Sequence, residues 1–370
     1  MNTDQVGINS LSTIRLVVAA PDFQAGLSFF TDELGFAVAM IAPAEDPNVA
    51  VLTLEGLTVS LDKHSESAPV TLEIPTDESE LLGTSKEGPN GTKVSYVTFA
   101  RESDKMTKPS PTLAIAEQSD AHWVTGRAGM AYRSLIDHPN SGFTASHIRI
   151  EGSGEVPDWV HFHDVGFQII YCFRGSAKLV YEGQGEPFIF NEGDCVLQPP
   201  HIRHRVLESF NDLEVIEFSS PSNHATYADP VMDLPNELLT PDRDFSGQRF
   251  TLSRQAESHW NNHKDSNSFI TRRTSISESS GNVGWVNIIE ATGTHQNGVD
   301  VSPLNSEATP DFLLWFILEG SGVITHRDKT INLGPTDAVV CPYGYNNETE
   351  FSLSECQIGF RVLEIGLNSG

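Results

Sequence analysis

His161-Phe162-His163-Asp164-Val165-Gly166-Phe167-Gln168, answered downstream by His204, is the stretch that decides how this chain reads. In a β-strand successive side chains point to opposite faces, so two histidines separated by one residue share a face. Gln168 on the same ribbon and His204 on a neighbouring strand can then close with them around one ion. Imidazole nitrogen and amide oxygen are acceptable donors to a divalent metal. An isolated His-x-His is more often crevice or surface histidine, so the case for a metal rests on the four positions taken together.

The sequence around this stretch is built of short strands. From about Ser141 onward, His147–Ile150, Phe167–Phe173, Ala177–Tyr181, Pro187–Phe190, Cys195–Gln198, Arg205–Leu207 and Leu213–Phe218 alternate with Gly, Pro or Asn/Asp turns. Such spacing predicts a sandwich or barrel. Met232–Asp244 is a connector rich in Pro and Asp, and the strand pattern resumes at Phe250–Ser253 and runs on to Phe360–Ile365. Two passages correspond: FQIIYCFRGSAKLVY at 167–181 and FLLWFILEGSGVITH at 312–326, an internal repeat with a period of 145 residues. That period is too long for a solenoid and fits two tandem barrels.

The N-terminal segment has a different rhythm. Ile14–Ala20 reads as a strand, Pro21-Asp22 as a helix start, and Phe23, Leu27, Phe30 and Leu34 as one helical face ended by Gly35. Short strands follow at Phe36–Ile41, Val49–Leu54 and Leu57–Leu61, with further candidates at Val70–Ile74 and Lys93–Phe99 and a loop at Lys105–Pro111.

Two resemblances give these patterns family names. The order strand, helix, three strands, carried by "LVVAAPDFQAGLSFFTDELGF", resembles one module of the glyoxalase/bleomycin-resistance (vicinal-oxygen-chelate) family. Arg15 stands where enzymes of that family usually carry a histidine, which implies a structural or dimerising role for this domain. The central region resembles the cupin superfamily. Its first motif, His-x-His, three or four residues, Glu, six residues, Gly, is met here by His161, His163, Gln168 and Gly175. Its second, Gly, five residues, Pro, four residues, His, is met by Gly193, Pro199 and His204. His201 replaces the usual Gly two positions after the proline, and Glu208 the usual terminal Asn. The resemblance implies a mainly β protein: a βαβββ-type α+β domain (residues 1–120), a metal-binding cupin barrel (121–235) and a degenerate cupin barrel (236–370).

The resemblance also implies the site. His161, His163, Gln168 and His204 are the expected ligands of one divalent ion per chain, Fe(II) first, with Mn, Ni, Co or Zn as alternatives. Three neutral imidazoles and a neutral amide leave such an ion its full charge, which favours an enolate, phenolate or carboxylate partner. Tyr171 and Glu208 are candidate acid/base groups, and Gln198, His201, Arg203 and Arg205 candidate substrate contacts. Overlaying the repeat places Leu313 at Gln168, Ser306 and Ala308 at the His-x-His, and Tyr345 at His204, so the second barrel is expected to hold no ligand set, with His295 and His326 as ordinary polar residues. The expected function is a metalloenzyme acting on a small anionic or chelating molecule, an Fe(II) dioxygenase first. A redox-neutral lyase, hydrolase or isomerase is the nearest alternative, and a non-catalytic metal-assisted sensor the next.

Composition narrows the partners. Fifty acidic against 23 basic residues give a formal charge of −27, which opposes nucleic-acid phosphate and anionic lipid. No apolar run approaches the length of a transmembrane helix, and the start lacks the basic and apolar regions of a secretory signal, so the expectation is a cytoplasmic protein, with a homodimer as the natural oligomer. Cys172, Cys195, Cys341 and Cys356 form no CxxC and read as structural thiols.

Overall fold

The computed structural model describes residues 14–76, 78–98, 114–136, 142–222, 224–263, 266–293, 310, 312–326, 329–341 and 351–368. The chain divides into two compact units, residues 1–101 and 102–370.

In the first unit, strand Leu16–Ala19 leads to a helix over Phe23–Ser28, which Asp22 caps by accepting a hydrogen bond from the Ala25 N–H at 3.1 Å. The expected face Phe23, Leu27, Phe30, Leu34 does turn inward, but the helix widens into a π-turn over Phe29–Glu33 and so buries Phe29 as well. Gly35, at φ +80°, ends it. Strands Ala37–Ala42, Val49–Leu54 and Leu57–Asp62 follow, and Leu57–Asp62 pairs parallel to Leu16–Ala19 in a four-stranded sheet. The two later strand expectations are met by Thr71–Pro75 and Lys93–Val97, parallel to each other, with Ser85–Glu87 alongside.

The second unit is built of antiparallel strands, and its order follows from side-chain parity. Along Phe167–Tyr181, Ile169, Tyr171 and Phe173 face one way, and Ile216 and Phe218 of His204–Ser220 join them. These side chains form a shared core with Ile288, Leu314, Phe316, Leu363 and Ile365 of the second sheet. Cys172, Leu179, Tyr181, Leu213 and Val215 face the other way, into a separate core belonging to the first sheet alone. Between Cys172 and Ala177 the inward parity changes from even to odd, because the register slips on both sides of Arg174. Gly175 makes the slip possible: at φ +71° any Cβ would lie 2.6 Å from the Phe210 carbonyl oxygen.

The two sheets also exchange edge strands. Ala114–Ala116, assigned from sequence to the first domain, pairs with Ala338–Val340 of the second sheet, and Thr251–Ser253 pairs with Cys195–Leu197 of the first. All four cysteines are buried free thiols. Among the described residues no helix is long and apolar enough to cross a membrane.

The internal repeat is visible in the pairing. Ile170 stands opposite Glu217 in the first sheet, and Trp315 opposite Glu364 in the second, so the two glutamates are equivalent. Glu364 is fully buried, and its carboxylate accepts from Trp285 Nε1 at 3.3 Å, Asn287 Nδ2 at 3.1 Å and Trp315 Nε1 at 3.1 Å. Two indoles and an amide thus fill the interior of the second sheet and occupy the carboxylate. Leu313 packs in the same apolar cluster, and His326 is buried. His295, Ser306, Ala308 and Tyr345 lie outside the described residues.

Burial raises the Glu364 pKa, and its three donors only partly offset this. The native state therefore binds that proton more tightly than the unfolded chain, and wild-type stability should fall as pH rises from the ordinary glutamate range through the raised value. Urea unfolding across that range should show the fall in wild type and a flatter profile in Glu364→Gln. Glu364→Leu leaves three buried donors unpaired and should cost about 2–4 kcal/mol at neutral pH.

Candidate metal centre

His161 and His163 lie on strand His161–His163, wedged between Thr226–Ala228 on one side and the start of His204–Ser220 on the other. His161 is the direct register partner of His204. The three imidazoles are buried and offer nitrogens that all lie within 4.8 Å of one another.

Each ring is fixed through Nδ1. His161 Nδ1 meets the Trp159 carbonyl oxygen at 2.7 Å, His204 Nδ1 the Ile202 carbonyl at 3.0 Å, and His163 Nδ1 the Thr226 hydroxyl at 2.8 Å. A ring that donates Nδ1–H to a carbonyl is held as the tautomer whose Nε2 carries a lone pair. His161 Nε2 is buried with no hydrogen-bond partner. An orphaned buried acceptor costs about 1–3 kcal/mol, and a metal ion held together with His163 and His204 is a partner that would satisfy it. Burial, then Arg127, lowers the His161 pKa; burial, then His161 and His224, lowers that of His163 to about 2; burial, then its two neighbours, lowers that of His204 well below its usual value. All three are therefore neutral near pH 7, the state in which imidazole binds metal. The donor set fits a divalent ion.

Several groups that hold the site carry no motif in the sequence. Asp158 is buried beside His161, pairs with Arg127 and accepts from the Val206 N–H at 3.0 Å. Tyr181, the register partner of His204, stacks on that ring with centroids 5.3 Å apart. Its hydroxyl donates to Gln198 Oε1 at 2.8 Å, and Gln198 Nε2 donates to Gln168 Oε1 at 2.9 Å. Gln168 itself is fully buried, and its amide eases the charge on Glu217.

Glu217 is the functional candidate that sequence reading passed over. It shares the inner face with Leu213 and Val215, and with His163 and His204 it lines a cavity of ≈ 60 Å³ whose other walls are mainly apolar. It is half-buried, and burial raises its pKa. Two-residue alternation in Leu213-Glu214-Val215-Ile216-Glu217 was the available signal, since one glutamate there must sit in phase with the apolar face.

The other sequence candidates separate. Arg205 lines the cavity, and its Nε is buried without a partner. Tyr171 does not reach the triad: strand parity turns it to the core shared with the second sheet, and burial pushes its pKa up to about 12. Glu208, the candidate acid/base group, is half-exposed and pairs with Lys178 at 3.1 Å. Arg203 pairs with Asp229 at 3.1 Å, and His201 is exposed beside Asp164 at 2.9 Å. His201 has φ +63°, the backbone conformation for which glycine is the easy residue, as the family pattern has it at this place.

A family model described as the AraC-like ligand binding domain matches residues 148–212. No curated protein matches the chain. Among solved structures the chain is similar to oxalate decarboxylase from Bacillus subtilis (12% identity over 73% of this chain and 80% of that one, TM-score 0.48). It is also similar to salicylate 1,2-dioxygenase from Pseudoaminobacter salicylatoxidans (12%, 71% and 85%, TM-score 0.47) and to protein Ylba from E. coli (12%, 71% and 93%, TM-score 0.47).

Adding a divalent metal should raise the melting temperature of the metal-free protein, and His161→Ala or His204→Ala should abolish that rise. Thr226→Val, which frees the His163 ring, should weaken metal binding by about tenfold in competition with a chromophoric chelator.

Proposed function

We propose that this protein is a metal-dependent enzyme of the cupin type, acting on a small enolisable, phenolic or carboxylate-bearing molecule, with Fe(II)-dependent dioxygenation as the first reading. The observation that carries it is the set of three imidazoles, each tied at Nδ1 and free at Nε2, beside a small cavity with one carboxylate in its wall. On this reading residues 121–235 carry the metal-binding barrel and 236–370 its silent partner, and the N-terminal domain ends before Ala114–Ala116, which pairs in the second sheet.

A bound divalent ion would supply Lewis acidity and open coordination positions for a chelating anion and O₂. The chain supplies the rest. His161, His163 and His204 hold the ion without cancelling its charge. Gln168 is the fourth ligand of this proposal; its Oε1 accepts from Gln198 Nε2, so coordination of the ion requires that amide to turn. Arg205 is placed to meet a substrate carboxylate, and Glu217 to accept a proton from the substrate as it becomes anionic. Leu179, Leu213 and Val215 exclude water, which strengthens each of these charges. A cavity of ≈ 60 Å³ is about two water volumes, so only a compact group fits beside the histidines unless side chains move.

Glu217 supports the redox-neutral alternative as well, because a proton acceptor facing the site is what an isomerase or lyase needs. The match of residues 148–212 to a ligand-binding domain supports the sensor reading.

Protein reconstituted anaerobically with Fe(II) and offered 2-hydroxybenzoates, 2-oxo acids and 1,3-diketones separates the three. Oxygen uptake matching substrate loss, dependent on Fe(II) and reduced about a hundredfold in kcat by Glu217→Gln, is the expected result. Conversion without oxygen assigns the redox-neutral class, and saturable binding without conversion assigns the sensor.

A further inference from the structure

On the face of Phe167–Tyr181 opposite the metal centre, the second unit carries a cleft of ≈ 900 Å³ between its two sheets. Its walls include Tyr171, Arg174, Trp260, Arg272, Leu318 and Arg361. The volume is of the size that holds small organic ligands.

The charges around it are unevenly matched. Arg361 is shared between Glu290 at 2.9 Å and Glu319 at 3.4 Å. Arg174 lies 3.5 Å from Glu214, whose carboxylate is already bonded to His147 at 2.6 Å, and Glu192 is the remaining acid of the wall. Arg272 is different. It is only 3% exposed, and its guanidinium donates to two uncharged acceptors, the Gly193 carbonyl at 3.0 Å and the Ser258 hydroxyl at 3.3 Å. Among the described residues the bonds of this buried guanidinium go only to neutral groups, and a charge so placed is costly unless an anion joins it. Two acceptors use two of its five N–H groups and leave part of the planar fork for a carboxylate.

The cleft adds two further elements. Burial pushes the Tyr171 pKa up to about 12, against the pull of Arg272 and Arg361, so its hydroxyl remains a donor at neutral pH beside those cations. Trp260 keeps 39% of its surface exposed, and Leu318 and Ile288 line the same cleft. An exposed indole beside aliphatic walls offers a platform for a flat apolar group.

From this geometry we infer a second ligand site: the inter-sheet cleft binds a small organic carboxylate with a flat apolar body, its carboxylate on Arg272 and Tyr171 and its body against Trp260. The site does not use the metal and stands or falls independently of it.

Calorimetric titration of the chelator-treated full chain with benzoate tests this, with benzamide and inorganic phosphate as comparison probes. The expected result is saturable one-site benzoate binding in the millimolar range or tighter, with the two comparison probes at least tenfold weaker. Arg272→Gln should weaken benzoate at least tenfold, Arg272→Lys should not restore it, and Trp260→Ala should weaken it several-fold. Because Arg272 also ties the sheets together through Gly193, Tyr171→Phe provides a reading that needs no change to that arginine, with a several-fold loss expected. Absence of saturable binding, equal binding by Arg272→Gln, or phosphate binding as tight as benzoate would overturn the inference. Loss of benzoate binding in His161→Ala with folding intact would overturn it too, by placing the ligand at the histidines.

Discussion

Three neutral imidazoles packed with their free nitrogens within 4.8 Å of one another are the constraint on which the first sheet depends. Like acceptors so placed have nothing to offer each other. The arrangement persists because each ring is fixed from behind, by the Trp159 and Ile202 carbonyls and the Thr226 hydroxyl. Those supports fall on three separate segments, so the strand His161–His163, the strand Thr226–Ala228 and the approach to His204 must all be in place before a metal has a site. Preorganisation of this kind trades some stability of the metal-free fold for a defined coordination geometry.

Glu217 and Glu364 stand at corresponding register positions of the two sheets and meet different surroundings. Both stand on the inner face of a long return strand, and burial raises the pKa of both. In the first sheet the residue opposite is Ile170, and space remains for a cavity that Glu217 faces. In the second the residue opposite is Trp315, and with Trp285 and Asn287 it closes the interior around the carboxylate. One polar position is left open to chemistry and the other is sealed by neutral donors.

The core between the sheets is built from both halves of the second unit. Tyr171, Phe173, Ile216 and Phe218 lie on the face turned away from the histidines, and without Leu314, Phe316 and Leu363 against them that face would be exposed apolar surface. The same packing leaves the cleft where Arg272 reaches across to Gly193. Gly193 is hemmed in by Gln255 at φ +82°, so the turn that receives the arginine admits no side chain.

The mainly β character, the N-terminal strand–helix–strand order and the gathering of His161, His163 and His204 were legible in the sequence. Each depends on a period, two along a strand or three to four along a helix, that linear spacing records directly. The 145-residue repeat was legible for the same reason. Which face a residue takes after an irregularity was not legible. The slips around Arg174 reverse parity along one strand, so Tyr171 falls on the far side of the sheet from the histidines while Tyr181, ten residues on, stacks on His204. Glu217, Asp158 and Arg272 carry no motif, because their importance arises from what they face across the fold and not from their neighbours in the chain. Sequence alone thus determined the donors and the strand pattern that can bring them together. Only the tertiary structure decided which carboxylate faces them, which arginine bonds only to neutral groups among the described residues, and which interior is filled, since those depend on distances between strands that spacing along one strand does not encode.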